Sequence, residues 1–485
     1  MVDANTNCEW VFVHPAPSPR MRFAAAVAFG QWWGRKVVWR AEGGDASSVQ
    51  LHIGGRFVAS WPCLPWMRET TKSPNNPGSA PLVWRPWRSM SPRFGAVCLN
   101  LPCASDTMHL KVESAEGEDS GVALGWDVLG VVFYGLTLWG ERTSPRDTHG
   151  RPLANGQPLA QQPTPATFGG NAWEAGLQHR LPWVECMVAV WVEAWTEGAV
   201  VREGRLTWGA TFDVDVAFKH LGRASWKAAA LNVRDLCQGR LARVRERWKV
   251  RRGHLNDPYD SFSWICAEHR GEPLTWFVLA SDRNPPFDVG LNPDRRELPA
   301  LVERLSWHEG GARVHWHPGH KAMSEAASFA KERRRVASWR GMSLETVRAH
   351  FLRSEPCHWP RLVAADVKRD ASLGWAREVG FRAGTSRPFP AYDVETEATL
   401  PLTVEPLAAM DSALQALGLK SLNRCEEVLV PMMEAVAAVG GRWVNCWHNT
   451  SVSEHDEWHG WRSTYVGVVA QLRRRGEATF GDDLV

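Results

Sequence analysis

Residues 206–218 read LTWGATFDVDVAF, and much of the chain's architecture can be placed by working outward from them. Leu206–Val214 has the pattern of a buried strand. The strand ends in Thr211-Phe212-Asp213-Val214-Asp215. In an extended chain, residues two apart point to the same side, so Asp213 and Asp215 share a face. Two carboxylates on one face repel, and a cation between them or a raised pKa on one relieves the repulsion. One aspartate can then hold a metal while the other acts as a base. Taken alone, the pair also fits a strand end facing solvent or a helix cap.

Downstream of this strand the pattern alternates. Val233–Trp248 reads as a basic helix, Leu274–Ala280 as a strand and Glu297–Leu305 as a helix. Ala312–His317 follows as a strand, with helices expected at Ala322–Trp339 and Leu344–Leu352. Phe381–Ala383, Leu400–Val404 and Trp443–Trp447 read as short strands, and Glu426–Val439 and Trp458–Arg474 as helices. Such alternation implies an α/β fold with a parallel sheet closed or half-closed by helices. In a β/α barrel the reactive groups sit at the C-terminal strand ends, which is where the polar motifs fall.

Three of these motifs add to the aspartates. His315, His317 and His320 crowd into Val314–His320, and histidine is a common ligand for zinc and related metals. His317 is the expected ligand and His315 the bystander. Arg382 lies in Gly380–Phe389, where a guanidinium can orient a carboxylate. His448, in Trp447-His448-Asn449, is placed to act as a general acid. His350, in Val347–Leu352, has the ordinary reading of a lone histidine among apolar neighbours. Two aspartates, several histidines and an arginine at successive strand ends favour a metal-assisted hydrolase.

The rest of the chain is less specific. Its 485 residues suggest more than one domain. Residues 1–205 read as an irregular, mixed α/β accessory domain, with Pro/Gly-rich text at Ser73–Pro81, a helix-like Asp127–Trp139, a polar loop at Arg142–Gly170 and an apolar run at Val184–Trp195. Hydrophobic residues make up 44% and charged residues 22%, enough apolar material for globular cores. The net charge of +3 and pI near 8.3 demand no nucleic-acid or lipid partner. The basic run Arg240–Arg252 reads as a solvated helix face rather than a nucleic-acid site. The N-terminal text shows no secretory pattern and no apolar run reaches 18 residues, so a cytoplasmic chain without membrane contact is expected. Ten cysteines form no CxxC pair, which argues against a zinc ribbon or a disulfide framework. Of 28 tryptophans, most are expected in cores, with a sugar platform as the secondary reading.

Across residues 206–475 the chain resembles the NodB-homology polysaccharide deacetylase superfamily, in a bacterial branch with an additional N-terminal domain. The matching text is TFDVDVAF (211–218), DPYD (257–260), HPGH (317–320), VRAHFLR (347–353), DASLGWA (370–376), GFRAGTSRPFPAYD (380–393), PLAAMDSAL (406–414), WHN (447–449) and GWR (460–462), with a weaker match at GERTSPRDTHGRP (140–152). The resemblance implies a distorted (β/α) barrel that hydrolyses an N-acetyl or O-acetyl group of a sugar or glycan with a divalent metal, zinc being the expected one. It implies Asp213 as base, Asp215 and His317 as metal ligands, Arg382 as the group positioning Asp213, and His448 as the acid. Two departures stand out. Lys321 occupies the position of the family's second metal histidine, so His350 is expected as the third ligand, with His320 as the alternative. Val214 separates aspartates that are usually adjacent. Asp393 and Asp411 are candidates for the acid that tunes His448. An amidase on a non-sugar substrate and a degenerate glycan-binding module are the competing readings.

Overall fold

The computed structural model describes residues 8–42, 45–68, 83–103, 113–114, 121–143, 146–152, 166–168, 171–173, 177–200 and 204–481. Ser73–Pro81 and most of Arg142–Gly170 lie outside the described residues.

The strands from residue 206 onward form one sheet. They are β1 (Leu206–Val214), β2 (Leu274–Leu279), β3 (Ala312–His317), β4 (Met342–Val347), β5 (Arg369–Leu373), β6 (Phe389–Asp393), β7 (Ala398–Pro406), β8 (Ala409–Met410), β9 (Arg442–His448) and β10 (Gly476–Ala478). β1 to β5 pair in sequence order, all parallel, and β9 pairs parallel to β1 on its other side. The ring closes through one segment that changes partner. β7 runs parallel to β5, with Leu373 opposite Pro406, and β8 then runs parallel to β9, with Ala409 opposite Asn445. At the switch, Leu407 donates its N–H to the Leu373 carbonyl and Ala408 donates to Val444, both at 2.8 Å. The result is a distorted (β/α) barrel. β6 is an antiparallel flap on the outer edge of β7, and β10 extends the sheet beside the start of β1.

β1 and β9 are buried along nearly their whole length. Both are covered on two faces, so polar residues such as Thr211, Asp213 and Asn445 are buried along with the apolar ones. Four expected elements came out differently, one being Ala322–Trp339, which is two helices, His320–Ser324 and Ala326–Val336, parted at the extended Glu325. Met342–Val347 is a strand rather than the start of a helix, because β3 and β5 flank it and take up its backbone hydrogen bonds. Beyond it, Phe351 and Leu352 have φ of 62° and 54°, values that no α-helix accommodates. Phe381–Ala383 is a turn between Gly380 and Gly384, both at positive φ. The basic helix is two helices, Ser225–Cys237 and Leu241–Arg251, broken at Gly239 with φ 68°.

Among the described residues before residue 200, the strands form two further sheets, one of six strands and one of four. Helix Val128–Leu136 is capped by Asp127, whose carboxylate accepts the Gly130 N–H at 2.8 Å. Helix Trp183–Trp195 is buried almost all round, as its lack of a polar face requires. Its Glu185 turns toward the barrel and accepts from the Ser386 hydroxyl at 2.7 Å and the Arg387 N–H at 2.9 Å. Most tryptophans serve as packing: Trp10, Trp61, Trp126, Trp208, Trp276, Trp316, Trp443 and Trp447 are almost wholly buried, and Trp61 stacks on Trp195. Among the described residues no helix is long and apolar enough to cross a membrane, and none of the cysteines is in a disulfide.

Candidate metal centre and active site

Asp215 stands one residue beyond β1, His317 ends β3 and His350 follows β4. Barrel curvature brings these C-terminal ends together. His317 Nε2 lies 3.2 Å from Asp215 Oδ1, and His350 Nε2 lies 3.2 Å from Asp215 Oδ2. One ligand atom from each residue falls within 4.8 Å of the other two. His317 and His350 are buried, and Asp215 Oδ1 has no hydrogen-bond partner. Two neutral-capable imidazoles and a carboxylate with an unused oxygen suit a divalent cation. Burial alone would push His350 down, but the Asp215 and Asp288 carboxylates outweigh it and raise its pKa to about 9. Burial would raise Asp215, but His350 above all, with the His317 and His448 imidazoles beside it, holds it well below the usual carboxylate range.

The surroundings hold the trio in place. Asp288 Oδ1 accepts from His350 Nδ1 at 2.8 Å, leaving Nε2 toward the centre, and also accepts the His320 N–H at 3.0 Å. Asp257, the first residue of DPYD, accepts the backbone N–H groups of Lys219, His220 and Leu221, and so fixes the loop that leaves Asp215. Gly319 is required by close approach: a Cβ there would come within 2.5 Å of Ser281 Cβ. His320, the alternative ligand, is not in the trio; its ring stacks on Phe287 at 4.0 Å. His315 packs on Phe277 instead.

Asp213 faces the same side as Asp215, as strand geometry requires. Its partner is Arg348, whose Nη1 donates to Oδ1 at 2.8 Å and to the Thr211 hydroxyl at 2.8 Å. Both side chains are buried. Asp213 Oδ2 lies 4.0 Å from His317 Nε2. Burial would lower Arg348, but Asp213 outweighs it, so the guanidinium is held charged. This corrects the role expected of Arg382. Arg382 stands in the turn after β5 and forks onto Glu141, with Nε–Oε1 at 3.0 Å and Nη2–Oε2 at 2.6 Å. It joins the barrel to residues 140–152 and does not position Asp213. Farther along, Arg146 lies 3.5 Å from Glu355 and the His149 ring 4.5 Å from Phe351, next to His350.

His448 Nε2 lies 3.4 Å from Asp215 Oδ2. On its far side Asp411 accepts from Nδ1 at 2.9 Å and from the His448 N–H at 2.7 Å. Burial works against the imidazolium, but Asp411 and then Asp215 outweigh it, and His448 titrates well above its ordinary value. Asp393 lies elsewhere, accepting the Glu395 N–H in the turn after β6.

Solved structures similar to this chain include a protein described as a polysaccharide deacetylase from Mycobacterium smegmatis, at 14% identity and TM-score 0.36, spanning 58% of this chain and 90% of that one. Another is described as a polysaccharide deacetylase involved in O-antigen biosynthesis from Bordetella bronchiseptica, at 14% and 0.29, spanning 57% and 87%. An allantoinase aligns at 10% and 0.36, spanning 59% and 93%. At these values the likeness carries no function across to this chain. No family model and no curated protein matches the sequence.

Arg348, Asp288 and Asp257 were not recognised from the sequence. Arg348 carried a signal, since it stands two residues before His350 and shares its face in an extended chain. Reading that segment as a helix hid the relation. Asp288 carried none, being an isolated acid in a loop.

Glu332 offers a check that is independent of chemistry. It is buried, accepts the Gly319 N–H at 3.0 Å, and is raised to about 7, by burial first and then by Asp288. A carboxyl whose folded pKa exceeds its unfolded value stabilises fully below the unfolded pKa, and that contribution is lost as pH rises through the folded one. Between pH ~4.5 and ~7, wild type should therefore lose about 2–3 kcal/mol relative to Glu332→Gln. Urea unfolding of both proteins across that range measures the difference; parallel pH dependences would show that Glu332 is ionised in the fold.

Proposed function

We propose that this chain is a metal-dependent carbohydrate deacetylase of the NodB-homology type, hydrolysing an N-acetyl or O-acetyl group of a sugar or glycan. The observation that carries the proposal is the convergence of Asp215, His317 and His350 with an arginine-held Asp213 on one side and an Asp411-held His448 on the other. The motif resemblance supplies the substrate class. The division at residue 205 into an accessory domain and a catalytic barrel belongs to the same proposal.

Asp215, His317 and His350 would hold the divalent cation. When bound, such a cation acts as a Lewis acid and lowers the pKa of water toward ~7. Asp213, held by Arg348, takes the proton of the attacking water. Arg348 is wholly buried, so its charge stays at the carboxylate and keeps it receptive. His448, oriented through Nδ1 by Asp411, presents a protonated Nε2 and donates to the leaving amine or alkoxide. Base and acid thus stand on different strands with the carboxylate of Asp215 between them, and each has a buried partner of opposite charge, Arg348 for Asp213 and Asp411 for His448.

Purified wild type should contain about one equivalent of a divalent metal, and Asp215→Ala and His317→Ala should each lose it. Elemental mass spectrometry reads the result. A wild type that stays metal-free after reconstitution would overturn the hydrolase proposal.

A further inference from the structure

The hairpin of helices Ser225–Cys237 and Leu241–Arg251 leaves the barrel from the loop that follows Asp215, at the end where the candidate site lies. Residues 225–255 hold nine Lys and Arg against Asp235 and Glu246, a net +7 in a chain whose total is +3. The remainder of the protein is therefore net acidic, and the cationic charge is concentrated in this one projection. Of these cations Arg247 is used internally: it is buried and pairs with Asp235 at 2.6 Å. Arg234, Arg240, Arg243, Arg245, Lys249, Arg251 and Arg252 are exposed.

The same hairpin exposes apolar side chains. Trp226 is 69% exposed, Val233 61%, Leu236 51%, Leu241 53%, Trp248 49% and Leu255 48%, which is six of the ten large exposed hydrophobics among the described residues. Their spacing is helical. Trp226, Val233 and Leu236, with exposed Ala229 and Ala230 between, form a stripe on the first helix, while Ala228 and Asp235 turn inward. Leu241 and Trp248 stand seven residues apart on the second helix, Leu255 follows in the turn beyond it, and the Arg252 guanidinium lies over the Trp248 ring at 4.3 Å.

We infer that this hairpin is a peripheral membrane anchor that binds an anionic phospholipid surface. The charge complements phosphate headgroups, tryptophan suits the headgroup level, and aliphatic side chains reach the acyl boundary. Nucleic acid would explain the cations and the two indoles but gives no reason to hold Val233, Leu236, Leu241 and Leu255 in water. The inference reverses the expectation, drawn from composition, that the chain has no membrane contact. It does not depend on the proposed reaction.

The test is co-sedimentation of the full chain with phosphatidylcholine vesicles and with vesicles containing about one-third phosphatidylglycerol. Binding should be at least about tenfold stronger to the anionic vesicles and should weaken with salt. Two variants separate the contributions. Val233→Ser/Leu236→Ser/Leu241→Ser/Leu255→Ser removes apolar contact, and Arg243→Glu/Arg245→Glu/Lys249→Glu reverses charge. Both sets alter exposed positions, so thermal melting should stay near wild type, while each should lose about tenfold or more in vesicle binding. Equal binding to both vesicle types, or binding unaffected by either variant, would overturn the inference. So would salt-dependent binding to duplex DNA without vesicle binding, or a dimer that the serine variant dissociates while vesicles are ignored.

Discussion

Replacing Arg348 by methionine should move the acidic limb of the kcat/KM profile upward by about one to three pH units, because a carboxylate that loses an adjacent cation becomes harder to ionise. Asp213 is buried and Arg348 is its cationic partner at 2.8 Å. Turnover near neutral pH should fall accordingly. Breaking a buried ion pair from one side also costs about 3–5 kcal/mol of stability, so the melting temperature should drop. Stability alone does not identify the role. Arg382→Met breaks the buried pair with Glu141 and should also destabilise, but it should leave the acidic limb in place. Arg348→Lys keeps a charge without the fork and should shift the limb less than methionine. An unmoved limb in Arg348→Met, or an equal shift in Arg382→Met, would refute the assignment.

Asp213→Asn should lower turnover on an acetylated sugar by about a thousandfold, within the range expected for removal of a general base. Its metal content should stay near that of wild type, since Asp213 lies outside the trio of Asp215, His317 and His350. The amide oxygen can still accept from Arg348, so the packing at this position is retained. Activity and metal content are therefore expected to separate in this variant and to fall together in Asp215→Ala. Near-normal turnover in Asp213→Asn would remove it from the base role, whatever the metal content.

Much of the barrel was legible before any coordinates. β2 is a compact apolar run of β-branched and aromatic residues, and β1, β3 and β9 set apolar residues among a few polar ones whose side chains the barrel buries. Helix Glu297–Leu305 appeared with the same bounds, its apolar residues recurring at helical spacing. The Asp213–Asp215 pair was visible for a local reason, since period two places both on one face of one strand end, and His317 was visible as the end of its own strand. These are properties of a single segment, and local text determines them.

What the text did not determine depended on partners distant in the chain. Met342–Val347 carries no strong preference of its own and becomes a strand because β3 and β5 present unpaired backbone on both sides. That choice turns Arg348 inward toward Asp213, 135 residues earlier in the sequence. Arg382 looked like the natural partner from motif order, but the turn at Gly380 and Gly384 directs it to Glu141. Asp411 and Asp393 were indistinguishable as text; the partner switch at Leu407 and Ala408 carries Asp411 to the end of β9 beside His448, while Asp393 stays on the flap. The sequence by itself determined which residues could ligate or exchange protons, because side-chain chemistry and strand period are local. Tertiary structure decided which charges meet, because an ion pair between strand ends exists only once the barrel has closed.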